Sequence, residues 1–142
     1  MLKGRLIHPD ILGTLGALGH GSKILISDGN YPIGTKLSPR ARAVYLNLSP
    51  GIVAVTEVLE AVLSAIPLEA AHVMMPADGK EAAIFSEFRE ILRKSGAQVD
   101  LQALDRFGFY DAASAPDVGL GIHTAESRIY ANILLTIGVV KP

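Results

Sequence analysis

The run from Ala70 to Leu104 does most to limit what this chain can fold into. Ala70 to Met75 reads as a short apolar strand. Gly79 to Ser95 then carries Ile84, Phe88, Ile91 and Leu92 at helical spacing, with Lys80, Glu87, Arg89 and Arg93 on the opposite side, and Gly96 closes the helix. Val99 to Leu104 reads as a strand again. Elements alternating between strand and helix in this way predict an α/β domain with a largely parallel sheet flanked by helices.

The rest of the sequence keeps to that pattern. His8-Pro9-Asp10 opens a short helix through Ile11, Leu12, Leu15 and Leu18, with Gly19 at its C-terminal cap. Lys23 to Ser27 is a short buried strand, Asp28 to Pro32 is loop chemistry, and 33–42 is irregular. Ala43 to Leu48 is a second strand. Ser49-Pro50-Gly51 marks the start of a helix that runs to about Ile66, where Pro67 stops it. Asp105 to Ala113 is a short helix or turn, and Val118 to His123 and Tyr130 to Val140 are the last strands. No helix separates those two, so some antiparallel pairing is expected near the C-terminus. Residues 1–142 are expected to form one domain, without repeat or linker.

Hydrophobic residues make up 49% against 19% charged. A domain this small cannot hide so much apolar surface within itself, so part of it is expected between subunits. A net charge of −1 gives no drive toward nucleic acid. Cysteine is absent, which removes disulfides, a thiolate nucleophile and Cys-based zinc sites. No apolar run reaches the roughly 18 residues of a membrane span. The start of the chain lacks the apolar core of a signal peptide, and the expected location is the cytoplasm.

Among the four histidines, His8 suits a surface or capping role, His72 a hydrogen-bonded core position, and His123 a strand end near a site. His20 stands between Gly19 and Gly21 in a helix-to-strand turn, where glycine lets the backbone bend and leaves the imidazole uncrowded. The alternative for His20 is an exposed turn residue that favours the helix dipole. Asp28 directly follows a buried strand, where open α/β sheets form their ligand crevice; its alternative is an Asx turn. Asn30, Tyr31, Arg106, Tyr110 and Asn132 add hydrogen-bonding groups that suit a polyol. No glycine pattern matches a dinucleotide or phosphate loop, no spacing matches a metal site, and Gly-x-Ser-x-Gly is missing.

Taken in order, Gly19-His20, the strand after it and the Asp28-x-x-x-Pro32 loop resemble one signature of the D-ribose pyranase and L-fucose mutarotase family. The second signature is the Glu126-containing segment leading through Tyr130-Ala131-Asn132 into an apolar strand that ends at Gly138-Val139. Val73-Met74-Met75 and Arg106-Phe107-Gly108-Phe109-Tyr110 resemble the fucose branch, since ribose-type members tend to carry His where Arg106 stands. The resemblance implies His20 as general acid, with Asp28, Arg106, Tyr130 and Asn132 holding the sugar and the Ala131 backbone passing close to it. It also implies a ring-shaped homo-oligomer, often a decamer of two stacked pentamers, with sites at subunit boundaries. One departure is Asn30-Tyr31, where fucose-type members commonly show His-Phe.

The activity implied is interconversion of the anomers of a free monosaccharide, L-fucose or a close relative. D-ribose pyranose–furanose exchange is the near competitor, and a non-catalytic sugar-binding or transport accessory protein is the rival of a different class. Mutarotation opens a hemiacetal and recloses it on the other face of the carbonyl. No carbon–hydrogen bond breaks, so no cofactor is expected. Histidine as a residue type can give or take the proton near neutral pH, and positioned proton transfer contributes roughly 10²–10⁴-fold.

Overall fold

The computed structural model describes residues 1–142. Its elements are α1 (Pro9–Ala17), β1 (Lys23–Ser27), β2 (Arg42–Tyr45), α2 (Val55–Leu63), β3 (Leu68–Met74), α3 (Ile84–Lys94), β4 (Leu101–Leu104), α4 (Arg106–Ala113), β5 (Val118–His123) and β6 (Ile133–Ile137). The strands form one sheet in the order β2-β5-β1-β6-β3-β4. β2, β5 and β1 run parallel, as do β3 and β4. β6 lies between the two groups, antiparallel to β1 and to β3. The link 124–132 is shorter than the dozen or so residues that a parallel crossover needs, so β6 must run in the direction opposite to β5, with β1 between them. The antiparallel pairing expected near the C-terminus thus sits at the centre of the sheet, where all of β6 is buried.

Consecutive strand residues point to opposite faces, which splits Ile24-Leu25-Ile26 between two cores. Ile24 and Ile26 pack with Ile11 and Leu15 of α1, Val58 and Leu59 of α2, and Phe85, Phe88 and Leu92 of α3. Leu25, Met74 and Leu134 pack on the other face with Phe109 and Ala113 of α4 and with Tyr31 and Ile33. The segment after β1 can lie flat against that face because β5 presents glycine there. A Cβ on Gly121 would meet Leu37 Cδ2 at 2.6 Å and Ile33 Cδ1 at 3.3 Å.

Several boundaries differ from the sequence reading. The helix expected from Ser49 begins at Val55, because 49–53 is occupied otherwise: Gly51 N–H donates to Ala125 at 2.7 Å, and Ala125 N–H donates to Val53 at 3.2 Å. Ala54 caps that helix, its amide donating to the Glu57 carboxylate at 2.9 Å. The helix expected from Gly79 begins at Ile84, since Pro76–Lys80 closes on itself as a turn with Gly79 at φ 73°. The last strand is only Ile133–Ile137: Tyr130 has φ 61°, and Gly138 N–H turns to Pro67 O at 2.9 Å. β2 is likewise shorter than expected, Arg42–Tyr45.

Two glycines give opposite predictions. Gly121→Val should lower stability by about 1–3 kcal/mol, the usual cost of overpacking, because it pushes Leu37 and Ile33 off the sheet. Gly13 is exposed inside α1 with no atom within 4 Å of its Cβ position. Gly13→Ala should therefore raise stability by up to about 1 kcal/mol, the difference in helix propensity. Urea unfolding of both variants checks the pair.

Candidate functional site

All the strands except β6 end at one edge of the sheet, and β6 begins there. This edge gathers Asp28 after β1, Met74 at the end of β3, Arg106 after β4 and Tyr130-Ala131-Asn132 before β6. Asp28, Asn30, Tyr31, Met74, Arg106, Tyr110, Ile129, Tyr130 and Asn132 line a cavity of about 270 Å³. That is near the low end of the roughly 300–1,000 Å³ typical of small-molecule sites and suits a single sugar ring. Two larger clefts adjoin it, one beyond Asn30 toward Ser49 and Glu126, the other beyond Tyr130 toward Pro76–Ile84.

The Asp28 carboxylate is 2% exposed. Its Oδ1 accepts from Asn30 N–H at 2.9 Å. Its Oδ2 accepts from Ala131 N–H at 3.1 Å and from Asn132 Nδ2 at 3.0 Å. The Asp28 amide donates in return to Asn132 Oδ1 at 2.9 Å. Burial pushes the carboxyl above its ordinary value, and these donors act against that push. Asp28 therefore reads both ways at once: it closes an Asx turn on its own loop, and it locks the end of β1 to the start of β6. Asn132, held at both ends of its amide, keeps one N–H for a ligand.

Tyr130 is the only non-glycine residue with positive φ. A tyrosine there costs on the order of 1–3 kcal/mol, and the surroundings must hold it. The conformation brings its hydroxyl to Arg106, whose Nη2 donates to it at 3.2 Å. Arg106 is placed at the start of α4, where Asp105 caps the helix by accepting from Gly108 N–H at 2.6 Å. Tyr31 lies against Phe109 and Tyr110 edge-on, and its hydroxyl donates away to Lys36 O at 2.7 Å. Its hydroxyl hydrogen is therefore not offered to the cavity.

His20 does not join this cavity within one chain. It precedes β1 and Asp28 follows it, and the five residues of β1 span roughly 16 Å at about 3.3 Å each. On the far edge of the sheet His20 is exposed, and its Nε2 meets Glu69 Oε2 of β3 at 2.7 Å. The structure thus brings together Asp28, Arg106, Tyr130, Ala131 and Asn132, and leaves His20 apart with a carboxylate partner. No group of three or more His, Asp and Glu residues stands close enough to hold a metal ion.

Residues 1–140 match the RbsD / FucU transport protein family. The chain belongs to this family. It is 28% identical to the fucose mutarotase of Danio rerio, covering 100% of this chain and 96% of that one. It is 30% identical to the D-ribose pyranase of Paracidovorax citrulli, covering 98% of each. The crystal structure of the fucose mutarotase from Streptococcus pneumoniae in complex with L-fucose superposes with a TM-score of 0.81 at 28% identity, covering 95% of each chain.

Seen as an RbsD / FucU chain, the molecule has functional candidates that the sequence did not expose. Glu69 is one, since nothing local marks an exposed strand glutamate 49 residues from its histidine. The Glu126–Arg128 pair is another: Glu126 is buried, and Arg128 holds its carboxyl below the ordinary range. His8 and His123 stand where the sequence placed them, whereas His72 does not reach the core expected for it. His8 Nδ1 accepts from Ile11 N–H at 3.4 Å as an N-cap. His72 is half-buried beside Gln102, with burial pulling its pKa down. His123 ends β5, buried, its Nδ1 3.1 Å from Ser27 Oγ, and burial also lowers its pKa.

Asp28→Asn should cost about 1–3 kcal/mol, the penalty for a buried donor left without its acceptor, read as a lower urea midpoint. The two buried carboxyls respond oppositely to pH. Asp28 is raised above 3.8, so its contribution is present in acid and lost as pH rises through its folded pKa. Glu126 is held below 4.5, so its contribution is present above that pH and lost as pH falls through its folded pKa. The stability gap between wild type and Glu126→Gln should be widest near neutrality and narrow steadily below pH 4.5.

Proposed function

We propose that this chain is a cofactor-independent isomerase that interconverts the anomers of a free monosaccharide, L-fucose first among them. The observation that carries the reading is the Asp28-locked edge, where Tyr130, Asn132 and Arg106 stand around a cavity of sugar size with hydrogen-bonding capacity left over. Asn132 keeps one N–H, Asn30 its side-chain amide, Arg106 several donors, and Tyr130 its hydroxyl hydrogen. Sugars present hydroxyls in fixed directions, and a set of fixed donors and acceptors reads them.

In this reading the ring oxygen receives a proton from His20 while the anomeric hydroxyl gives one up. Asp28 is already engaged on both oxygens, so Tyr130, its oxygen facing the Arg106 guanidinium, is the group placed to relay the second proton. Its distance from the cavity means that His20 must come from a neighbouring copy, with Glu69 orienting the ring. A ring of copies, a decamer in its fullest form, with sites at subunit boundaries supplies this arrangement. Large exposed apolar side chains beside the cavity, Phe107 at 74% and Ile129 at 67%, support a covering neighbour. No helix is long and apolar enough to cross a membrane, and we assign the activity to the cytoplasm.

Saturation-transfer NMR over L-fucose, D-ribose, L-rhamnose and D-galactose tests the activity, with L-fucose expected to exchange fastest. Binding without accelerated exchange would establish a sugar carrier instead. His20→Ala should slow exchange by roughly 10²–10⁴-fold, and a wild-type rate in the folded variant removes His20 from the mechanism. Mixing His20→Ala subunits with Tyr130→Phe subunits should regain activity that neither shows alone. No recovery means that the two residues do not meet across a boundary.

A further inference from the structure

Between β5 and β6 the chain passes through Thr124-Ala125-Glu126-Ser127-Arg128-Ile129 and then Tyr130, which lines the cavity. The middle of this segment is an ion pair. Glu126 is 4% exposed. Arg128 grips it with two arms of the guanidinium, Nε donating to Oε1 at 3.0 Å and Nη2 donating to Oε2 at 2.8 Å. The Arg128 amide also donates to Oε1 at 3.0 Å. The remaining arm, Nη1, donates to Oε1 of Glu87 on α3 at 2.7 Å. One guanidinium thus folds the segment on itself and ties it to a helix. A second anchor holds the same segment to the end of β1, where Gly29 N–H donates to Glu126 O at 2.9 Å.

Two residues beyond Arg128, Tyr130 sits at φ 61° with its oxygen accepting from Arg106. A tyrosine left to itself avoids that conformation. Ala131, tied to Asp28, fixes the downstream side of Tyr130. The upstream side is held by the Glu126 carboxylate, which takes both the amide and the guanidinium of Arg128. We propose that Glu126, Arg128 and Glu87 are positioning residues for Tyr130, holding the upstream half of its left-handed turn so that the phenol stays over the cavity. Glu126, Arg128 and Glu87 do not line that cavity, although Glu126 and Arg128 border the clefts beside it, and the proposal has them act on turnover through Tyr130. A planar fork fixes direction as well as charge, which a lysine cannot do. The proposal rests on the sugar-site reading above, and its test is arranged to fail separately.

Four tyrosines are present, so protein labelled with 3-fluorotyrosine gives a simple ¹⁹F spectrum in which Tyr130→Phe assigns the signal of interest. Arg128→Met should displace that signal, lower kcat/KM for anomer exchange by up to about 100-fold, as a misplacement near 1 Å can, and lower the melting temperature, because Glu126 is left charged and unpaired. The double variant Glu126→Gln/Arg128→Met leaves no buried charge unpaired, since Glu87, which also loses its partner, is exposed. It should regain melting temperature while its Tyr130 signal stays displaced and its exchange stays slow. Arg128→Lys, with charge but no fork, should fall between. If the double variant recovers both the Tyr130 signal and the exchange rate, the clamp only neutralises Glu126 and the proposal is overturned. Should wild type exchange no sugar at all, the reading of the cavity fails, and the Tyr130 signal alone still decides whether the clamp sets its position.

Discussion

Everything at the chemical edge depends on a single carboxylate that water barely reaches. Asp28 gathers the amides of Asn30 and Ala131 and the side chain of Asn132 onto its two oxygens. Each of these bonds is modest alone, yet an amide left without its partner in such a place is expensive. The arrangement therefore behaves as a unit. It is built from residues more than 100 positions apart, and it sets where the backbone of Ala131 runs, and with it the side chains on either side. The carboxylate does not need to touch a ligand to decide what the ligand meets.

That carboxylate could do nothing without the unusual place of the last strand. A wholly parallel sheet would bring β6 in at the far edge, with Asn132 there too. Because the connection after β5 is short, β6 starts where β1 ends and pairs with it in reverse, Ile26 opposite Ile133. The same insertion gives β3 an antiparallel neighbour and joins two parallel groups into one sheet. Burial on both faces explains why β1 and β6 read as nearly unbroken apolar runs rather than alternating ones.

Much of this was legible in the residues. Alternating helical and strand periods predicted the layered α/β architecture, and Asp28 could be picked out because turn chemistry and a strand end mark it, whereas Tyr130 was reached only through the family resemblance. Capping signals were less faithful. Ser49-Pro50-Gly51 has the chemistry of a helix start, but Ser49 pairs with Ile52 and the Gly51 amide goes to Ala125, a partner no local rule foresees. Glu69 and the Glu126–Arg128 clamp were missed for a related reason. A glutamate in a strand or an arginine in a polar loop looks like ordinary solvated surface until the tertiary fold brings His20 to Glu69 and Glu87 to Arg128. Local chemistry announces turns and faces; pairings across the sheet are announced by nothing in the sequence alone.

The length of β1 has a consequence for assembly. It sets the imidazole of His20 and the carboxylate of Asp28 at opposite ends of the same rod, so that under the proposed mechanism each copy would carry one half of a working pair at either pole. Copies joined pole to pole in an open row would always leave an idle imidazole at one end and an unserved cleft at the other. Only a closed arrangement wastes neither. In such a molecule, quaternary closure would be a matter of stoichiometry: the number of competent clefts equals the number of subunits only when the circle has no ends.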